Sequence, residues 1–111
     1  MKIWVDGSNK KVGYITEDGF SEIFDADGTN NENELKAIKL ALTYALAEGM
    51  KNIHILSDSQ LAVNQLNHNW HIKDSKLRRL AQDIWKFEKD FDQLRLSWIP
   101  REENRAGKLL G

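Results

Sequence analysis

The chain has 111 residues, of which 41% are hydrophobic and 30% charged, and it contains no cysteine. Its length is typical of a single hydrophobic core, so we expect one domain over residues 1–111. Without cysteine the chain has no disulfides or thiolate metal sites, and it shows neither a signal-peptide pattern nor an apolar run long enough to span a membrane. We therefore expect a cytoplasmic protein. The formal charge of −1 excludes a protein that attracts nucleic acid through its overall field, and a nucleic-acid binder of this charge needs a local basic patch.

The first quarter of the chain predicts a three-stranded meander. Residues 2–6 have the pattern of a buried strand that ends in an acid, and residues 11–16 alternate in hydrophobicity as a second strand. Asp18 and Gly19 form a turn pair that leads into a third strand at 20–25.

A long amphipathic helix is expected over residues 31–48, because its apolar residues recur at steps of three and four. Asn31 is a suitable N-cap, Glu34 completes a capping-box pattern three residues later, and Gly49 ends the helix. Glu34 also adjoins the apolar stripe that begins at Leu35, where a carboxylate needs a partner such as a metal ion. From the helix alone, both roles of Glu34 stay open, and capping is the more ordinary one.

The second half of the chain alternates strand and helix, which is typical of a crossover onto a parallel sheet. The elements expected there are, in order, a strand at 52–57, a helix that includes Ala62, a helix at 75–90 and a strand at 94–98. Trp70, in the polar link before the third helix, either packs against the core or stacks beside nucleic acid, and we expect the core. The tail is long enough for two helical turns at most.

Two acids follow predicted strands, namely Asp6 after the first strand and Asp58 after the fourth. Asp6 with Gly7 is also an ordinary turn pair. However, sites in open α/β sheets form at the carboxyl ends of parallel strands, so the two acids converge if their strands are neighbours, and Glu34 can join them. Three adjacent carboxylates need a hard cation such as Mg²⁺, and two such ions about 4 Å apart can promote phosphodiester hydrolysis.

Four motifs together resemble the ribonuclease HI family: DGSN at 6–9, TNNENE at 29–34, LSDSQ at 56–60 and WIPREEN at 98–104. Their order and spacing match the family over nearly the whole chain, whereas each motif alone is weak. The resemblance implies a ribonuclease H-like α/β fold, with a five-stranded mixed sheet in the order 3-2-1-4-5 flanked by helices. It also favours metal ligation by Glu34 over capping.

The resemblance further implies cleavage of the RNA strand of RNA–DNA hybrids with Mg²⁺ or Mn²⁺, leaving 3′-hydroxyl and 5′-phosphate ends. Asp6, Glu34 and Asp58 are then the catalytic metal ligands, with Asp6 between two ions. The residues expected to contact substrate are Ser8, Asn9, Thr29, Asn30, Asn31, Gln60 and Asn104. Among them, Asn30 reads a 2′-hydroxyl, Thr29 and Asn31 grip a DNA phosphate, and Asn104 lies at the rim of the site.

The sequence departs from the family at the fourth active-site acid, which follows the asparagine equivalent to Asn104 by four residues. An ungapped alignment places Lys108 there, and an alignment with one deletion places Gly107 there. A protonated lysine cannot ligate Mg²⁺ and opposes a second cation. The nearest substitute acids, Glu102 and Glu103, precede Asn104.

Three consequences of this departure stay open. In the first, the site works with three acids and has weakened activity. In the second, the ammonium of Lys108 replaces one cation. In the third, the chain is a non-catalytic nucleic-acid-binding or interaction domain on the same fold. The chain also lacks the basic handle that some family members use to hold the hybrid. A nuclease acting on a different nucleic acid is a further alternative, because fold alone does not select the substrate.

Overall fold

The computed structural model describes residues 1–110, which form five strands and four α-helices with two short 3₁₀ turns. The strands are β1 (Lys2–Gly7), β2 (Lys11–Thr16), β3 (Ser21–Asp25), β4 (Asn52–Ser57) and β5 (Gln93–Trp98). The helices are α1 (Asn30–Ala47), α2 (Gln60–Leu66), α3 (Ser75–Trp85) and α4 (Arg105–Leu110). The 3₁₀ turns cover Glu88–Asp90 and Arg101–Glu103. No helix within the described residues is both long and apolar enough to cross a membrane.

The five strands form one mixed sheet in the order β3-β2-β1-β4-β5, which confirms the predicted order. β1 pairs antiparallel with β2 and parallel with β4, and β4 pairs parallel with β5. Trp4 is the register partner of Leu56. Asp6 and Asp58 each lie two residues beyond this pair, so the register brings the two acids to the same edge of the sheet.

The core lies between the sheet and the inner face of α1. Leu35, Ile38, Leu42 and Ala45 of this helix are at most 1% exposed, and their spacing of three and four residues gives the helix one buried stripe. Because α1 packs against β1, the first turn of the helix lies beside the end of that strand. The helix thereby carries Glu34 to the edge of the sheet where Asp6 lies.

The helix α1 begins one residue earlier than predicted, and its predicted N-cap was wrong by two residues. The N-cap is Thr29 rather than Asn31, and its hydroxyl oxygen accepts a 3.1 Å hydrogen bond from the backbone N–H of Glu32. Glu34 therefore takes no part in a capping box. The chain offers three adjacent residues that can cap a helix, and the packing of the first turn against β1 decides between them. The glycine at the helix end was predicted correctly, since Gly49 has φ of +72°.

Two expectations for the second half were also wrong. The helix expected over 75–90 ends at Trp85, and a 3₁₀ turn follows because Phe91, which is 7% exposed, returns the chain to the core. Trp70 is 48% exposed rather than packed in the core.

Gly7 permits the close approach of α1 to β1, and this gives the first testable prediction. A methyl group at this position would lie 2.5 Å from the carbonyl oxygen of Asn33 and 2.5 Å from the backbone nitrogen of Glu34. We expect Gly7→Ala to lower the free energy of unfolding by about 1–3 kcal/mol, because the helix must move away from the strand. Urea unfolding measures this loss.

Gly107→Ala is the matched control for this prediction. A methyl group at residue 107 would meet its nearest neighbour at 3.7 Å, which is ordinary van der Waals contact. We expect this variant to keep the stability of the wild type or to gain slightly from the better helix propensity of alanine. Equal stabilities for the two variants would contradict the account of Gly7.

Candidate active site

Three carboxylates from distant parts of the chain converge at the carboxyl ends of β1 and β4. One side-chain oxygen from each of Asp6, Glu34 and Asp58 lies within 4.8 Å of the others. Asp6 belongs to the end of β1, Glu34 to the first turn of α1, and Asp58 directly follows β4. The structure therefore brings together the three acids that the sequence identified as candidate ligands.

Glu34 is the most rigidly held of the three acids. Its carboxyl group is almost buried, and the residue is 4% exposed. The backbone N–H of Gly7 donates a 3.0 Å hydrogen bond to Oε2, and the hydroxyl of Ser57 donates a 2.5 Å hydrogen bond to Oε1. Because both oxygens are bonded to the ends of β1 and β4, the orientation of the carboxylate is fixed before any ligand binds.

The electrostatics of this cluster favour a bound cation. The pKa of Glu34 is raised to about 8, mainly by burial and also by the charges of Asp6 and Asp58, against the hydrogen bonds from Ser57 and Gly7. Burial also raises the pKa of Asp6 to about 6, and the neighbouring charge of Asp58 contributes. Within residues 1–110, none of the three acids has a Lys or Arg partner within 4.0 Å. A set of carboxylate oxygens without a protein cation fits a hard divalent ion such as Mg²⁺ or Mn²⁺.

Asn104, which directly precedes α4, connects this helix to the cluster. Its side-chain amide donates hydrogen bonds to the carbonyl oxygen of Val5 at 2.9 Å and to Oδ2 of Asp58 at 3.1 Å. Its side-chain oxygen accepts a 3.0 Å bond from the backbone N–H of Ala106. We expected Asn104 at the rim of the site, whereas the residue is fully buried. The geometry gives it a positioning role toward Asp58 and α4.

The other predicted substrate-contact residues lie on the surface, on or next to the elements that carry the three acids. Ser8 is partly exposed, and the exposed residues are Asn9, Thr29, Asn30, Asn31 and Gln60. They come from the turn after β1, the start of α1 and the first residue of α2. The hydroxyl oxygen of Ser8 accepts a 3.1 Å bond from the backbone N–H of Lys11, so it also stabilises its turn.

Sequence reasoning missed two supporting residues, Ser57 and Asn33. Both are fully buried. Ser57 holds Glu34, and the side-chain amide of Asn33 donates to the carbonyl oxygen of Ser8. Their only signal in the sequence was that they lie inside the LSDSQ and TNNENE motifs, next to Asp58 and Glu34.

An open cavity of about 430 Å³ lies beside Asp6, on the side of α4. Arg101, Glu102, Gly107 and Lys108 line it together with Asp6. A Cβ atom at residue 107 would lie 3.7 Å from Oδ2 of Asp6 and 3.9 Å from Oδ2 of Asp58. Residue 107 therefore faces both aspartates, whereas Lys108 is exposed.

The mixed sheet with this order and an acidic cluster at the ends of β1 and β4 define a ribonuclease H-like protein. Residues 15–110 match the family described as reverse transcriptase-like, which is ribonuclease H-like. The chain belongs to this family.

Comparison with individual proteins agrees with this assignment. The chain is 25% identical over 122 residues to the putative hydrolase EbsB of Enterococcus faecalis, covering 99% of this chain and 90% of EbsB. It is 30% identical over 105 residues to ribonuclease HI of Halobacterium salinarum, covering 89% of this chain. It spans only about half of that relative, since the match covers 53% of its length.

Solved structures show the same fold. The crystal structure of RNase H1 from Halobacterium salinarum superposes with a TM-score of 0.89 at 28% identity, over 98% of this chain and 92% of that chain. LC11-RNase H1, solved in complex with an RNA/DNA hybrid, superposes with a TM-score of 0.87 at 23% identity, over 98% of this chain and 91% of that one. The latter likeness concerns the fold alone.

Proposed function

We propose that this chain is an endoribonuclease that hydrolyses the RNA strand of RNA–DNA hybrids, with Asp6, Glu34 and Asp58 as ligands of Mg²⁺ or Mn²⁺. The observation that carries the proposal is the convergence of these three carboxylates within 4.8 Å on a ribonuclease H-like fold. When bound, a divalent cation supplies charge that offsets the negative charge developing on the phosphate and lowers the pKa of water.

The residues of the chain fix the geometry of this chemistry. Glu34 keeps one orientation because Gly7 and Ser57 bond its two oxygens, and Asp58 keeps its orientation through Asn104. Such preorganisation avoids the cost of arranging charged side chains during the reaction. Asp6 is more exposed than Glu34 and borders the open cavity, so it is the acid nearest to an incoming phosphate.

Recognition of the hybrid is assigned to the exposed polar residues around the acids. Thr29, Asn30 and Asn31 lie at the N-terminus of the 18-residue helix α1, where the helix dipole favours an anionic group such as a DNA phosphate. Asn30 presents an amide that can bond a 2′-hydroxyl, the group that distinguishes RNA from DNA. The names of the two Halobacterium salinarum matches, ribonuclease HI and RNase H1, support this substrate class.

Binding of different duplexes to an inactive variant tests this specificity. In Asp6→Asn, we expect a fluorescent RNA–DNA hybrid to bind more tightly than DNA duplex of the same sequence, and the further change Asn30→Ala to reduce that preference. Asn69→Ala is the control, because Asn69 is an exposed asparagine in the link after α2, outside this set. Equal affinity for hybrid and DNA duplex would contradict the proposed substrate.

A second candidate function is binding of the hybrid without cleavage. Gly107 favours it, because the residue that faces Asp6 and Asp58 from α4 carries no carboxylate. Tight binding of the hybrid by the wild-type chain, with no cleavage in either Mg²⁺ or Mn²⁺, is the result that distinguishes this candidate from the nuclease.

A further inference from the structure

The position of Gly107 determines how many cations the site can hold. Gly107 lies in the first turn of α4, and its missing side chain would project to within 4 Å of both Asp6 and Asp58. Asn104 sets this register. Its side-chain oxygen accepts a hydrogen bond from the backbone N–H of Ala106, and its side-chain amide donates a hydrogen bond to Asp58. Of the two alignments of the fourth acid, the geometry favours Gly107 over Lys108.

Without a carboxylate at residue 107, the cavity side of Asp6 has few ligands for a second ion. Of the three acids, only Asp6 lines this cavity, whereas Glu34 is almost buried and bonded to Gly7 and Ser57. One aspartate on an open surface is a weak site for Mg²⁺, which is normally held by one or two carboxylates together with substrate phosphates. We therefore expect the first cation to be held much more strongly than any second one.

A protein cation lines the cavity beside Asp6. Arg101, in the 3₁₀ turn before α4, lines the same cavity as Asp6 and Gly107. No acidic group of residues 1–110 lies within 4.0 Å of the Arg101 side chain. The neighbouring Arg105 lies over the ring of Trp4, 4.2 Å from its centroid, and is engaged there.

We propose that this site holds one divalent cation, among Asp6, Glu34 and Asp58, and that Arg101 supplies beside Asp6 the positive charge that a second cation would supply. A planar guanidinium pairs well with phosphate oxygens and stays protonated at any physiological pH. The inference rests on the proposed function, because the group that Arg101 meets is the phosphate of the nucleic acid.

The number of bound ions tests the first part of the proposal. In isothermal titration with Mn²⁺, we expect one tight site in the wild type, two in Gly107→Asp, and one in Lys108→Asp. Gly107→Asn controls for the added bulk, and circular dichroism checks that each variant is folded. Two tight ions in the wild type, or a second ion gained by Lys108→Asp rather than Gly107→Asp, would overturn the inference.

The role of Arg101 has its own readout. In the Gly107→Asp background, Arg101→Gln should tighten the second Mn²⁺ several-fold, because it removes a like charge from that position, whereas Lys108→Gln should change the affinity less. An unchanged second affinity in Arg101→Gln would contradict the role of Arg101.

Failure of this inference and failure of the proposed function are distinguishable. A chain that binds one Mn²⁺ and behaves as expected in these titrations, but does not cleave hybrids, refutes the nuclease and retains the one-cation site. A chain that cleaves hybrids and binds two ions tightly in the wild type refutes the one-cation site and retains the nuclease. A wild type that binds no Mn²⁺ contradicts both.

Discussion

We expect Asp6→Asn to reduce the rate of RNA cleavage in a hybrid by about 10³-fold or more, because a catalytic cation is worth several kcal/mol in the transition state and each 1.36 kcal/mol is tenfold. Asp6 belongs to the cluster with Glu34 and Asp58 and is the one of these three acids that lines the open cavity. The amide keeps the shape of the carboxylate and removes its charge. Single-turnover cleavage of a labelled hybrid measures the effect.

The variant itself should stay folded. Burial already raises the pKa of Asp6 above its ordinary value, so an uncharged side chain at this position relieves rather than adds strain in the metal-free protein. Asp92→Asn is the matched control, because Asp92 is exposed and lies just before β5, away from the cluster. Cleavage that survives in Asp6→Asn and is lost in Asp92→Asn would refute the assignment of the site.

The metal-free protein should be more stable at pH 5 than at pH 8. Burial raises the pKa of Glu34 from 4.5 to about 8, so between these values the folded chain binds more protons than the unfolded chain. The free energy of unfolding therefore falls as the pH rises through this window, and for Glu34 the change is of the order of a few kcal/mol. Asp6 contributes in the same direction, between its ordinary pKa of 3.8 and about 6.

Urea unfolding in EDTA at the two pH values measures this trend, and Glu34→Gln isolates its source. The variant should lose most of the pH dependence and be more stable than the wild type at pH 8 without metal. Burial lowers the pKa of His54, so this residue contributes a pH dependence of stability in the opposite direction. Because both proteins contain His54, its contribution cancels when the variant is compared with the wild type. Addition of Mg²⁺ should stabilise the wild type at pH 8 and do so much less in Glu34→Gln. A wild type that is no less stable at pH 8 in EDTA would contradict the electrostatic account.

Much of the architecture was predictable from periodicity and from residues at strand ends. The alternation in residues 11–16 and the stripe from Leu35 to Ala45 identify elements whose burial the structure confirms. Asp6 and Asp58 could be paired because both follow strands that a crossover makes parallel. Four motifs in family order then selected the sheet order that the structure shows.

What could not be predicted depends on contacts between distant segments. The start of α1 at Asn30 depends on the fit of its first turn against Gly7, which no local pattern reveals. The burial of Asn104 and the direction of residue 107 depend on how α4 packs on β1, and a shift of one residue exchanges Gly107 for Lys108. The support of Glu34 by Ser57 likewise crosses from α1 to β4.

Cleavage of an RNA–DNA hybrid by the wild-type chain tests the central claim most directly. Each strand is end-labelled in turn, and duplex DNA and single-stranded RNA are assayed beside it in Mg²⁺ and in Mn²⁺. The account predicts cleavage of the RNA strand of the hybrid alone, with 3′-hydroxyl and 5′-phosphate products and no reaction in EDTA. Intact RNA in both metals, or cleavage of duplex DNA at a similar rate, would contradict it.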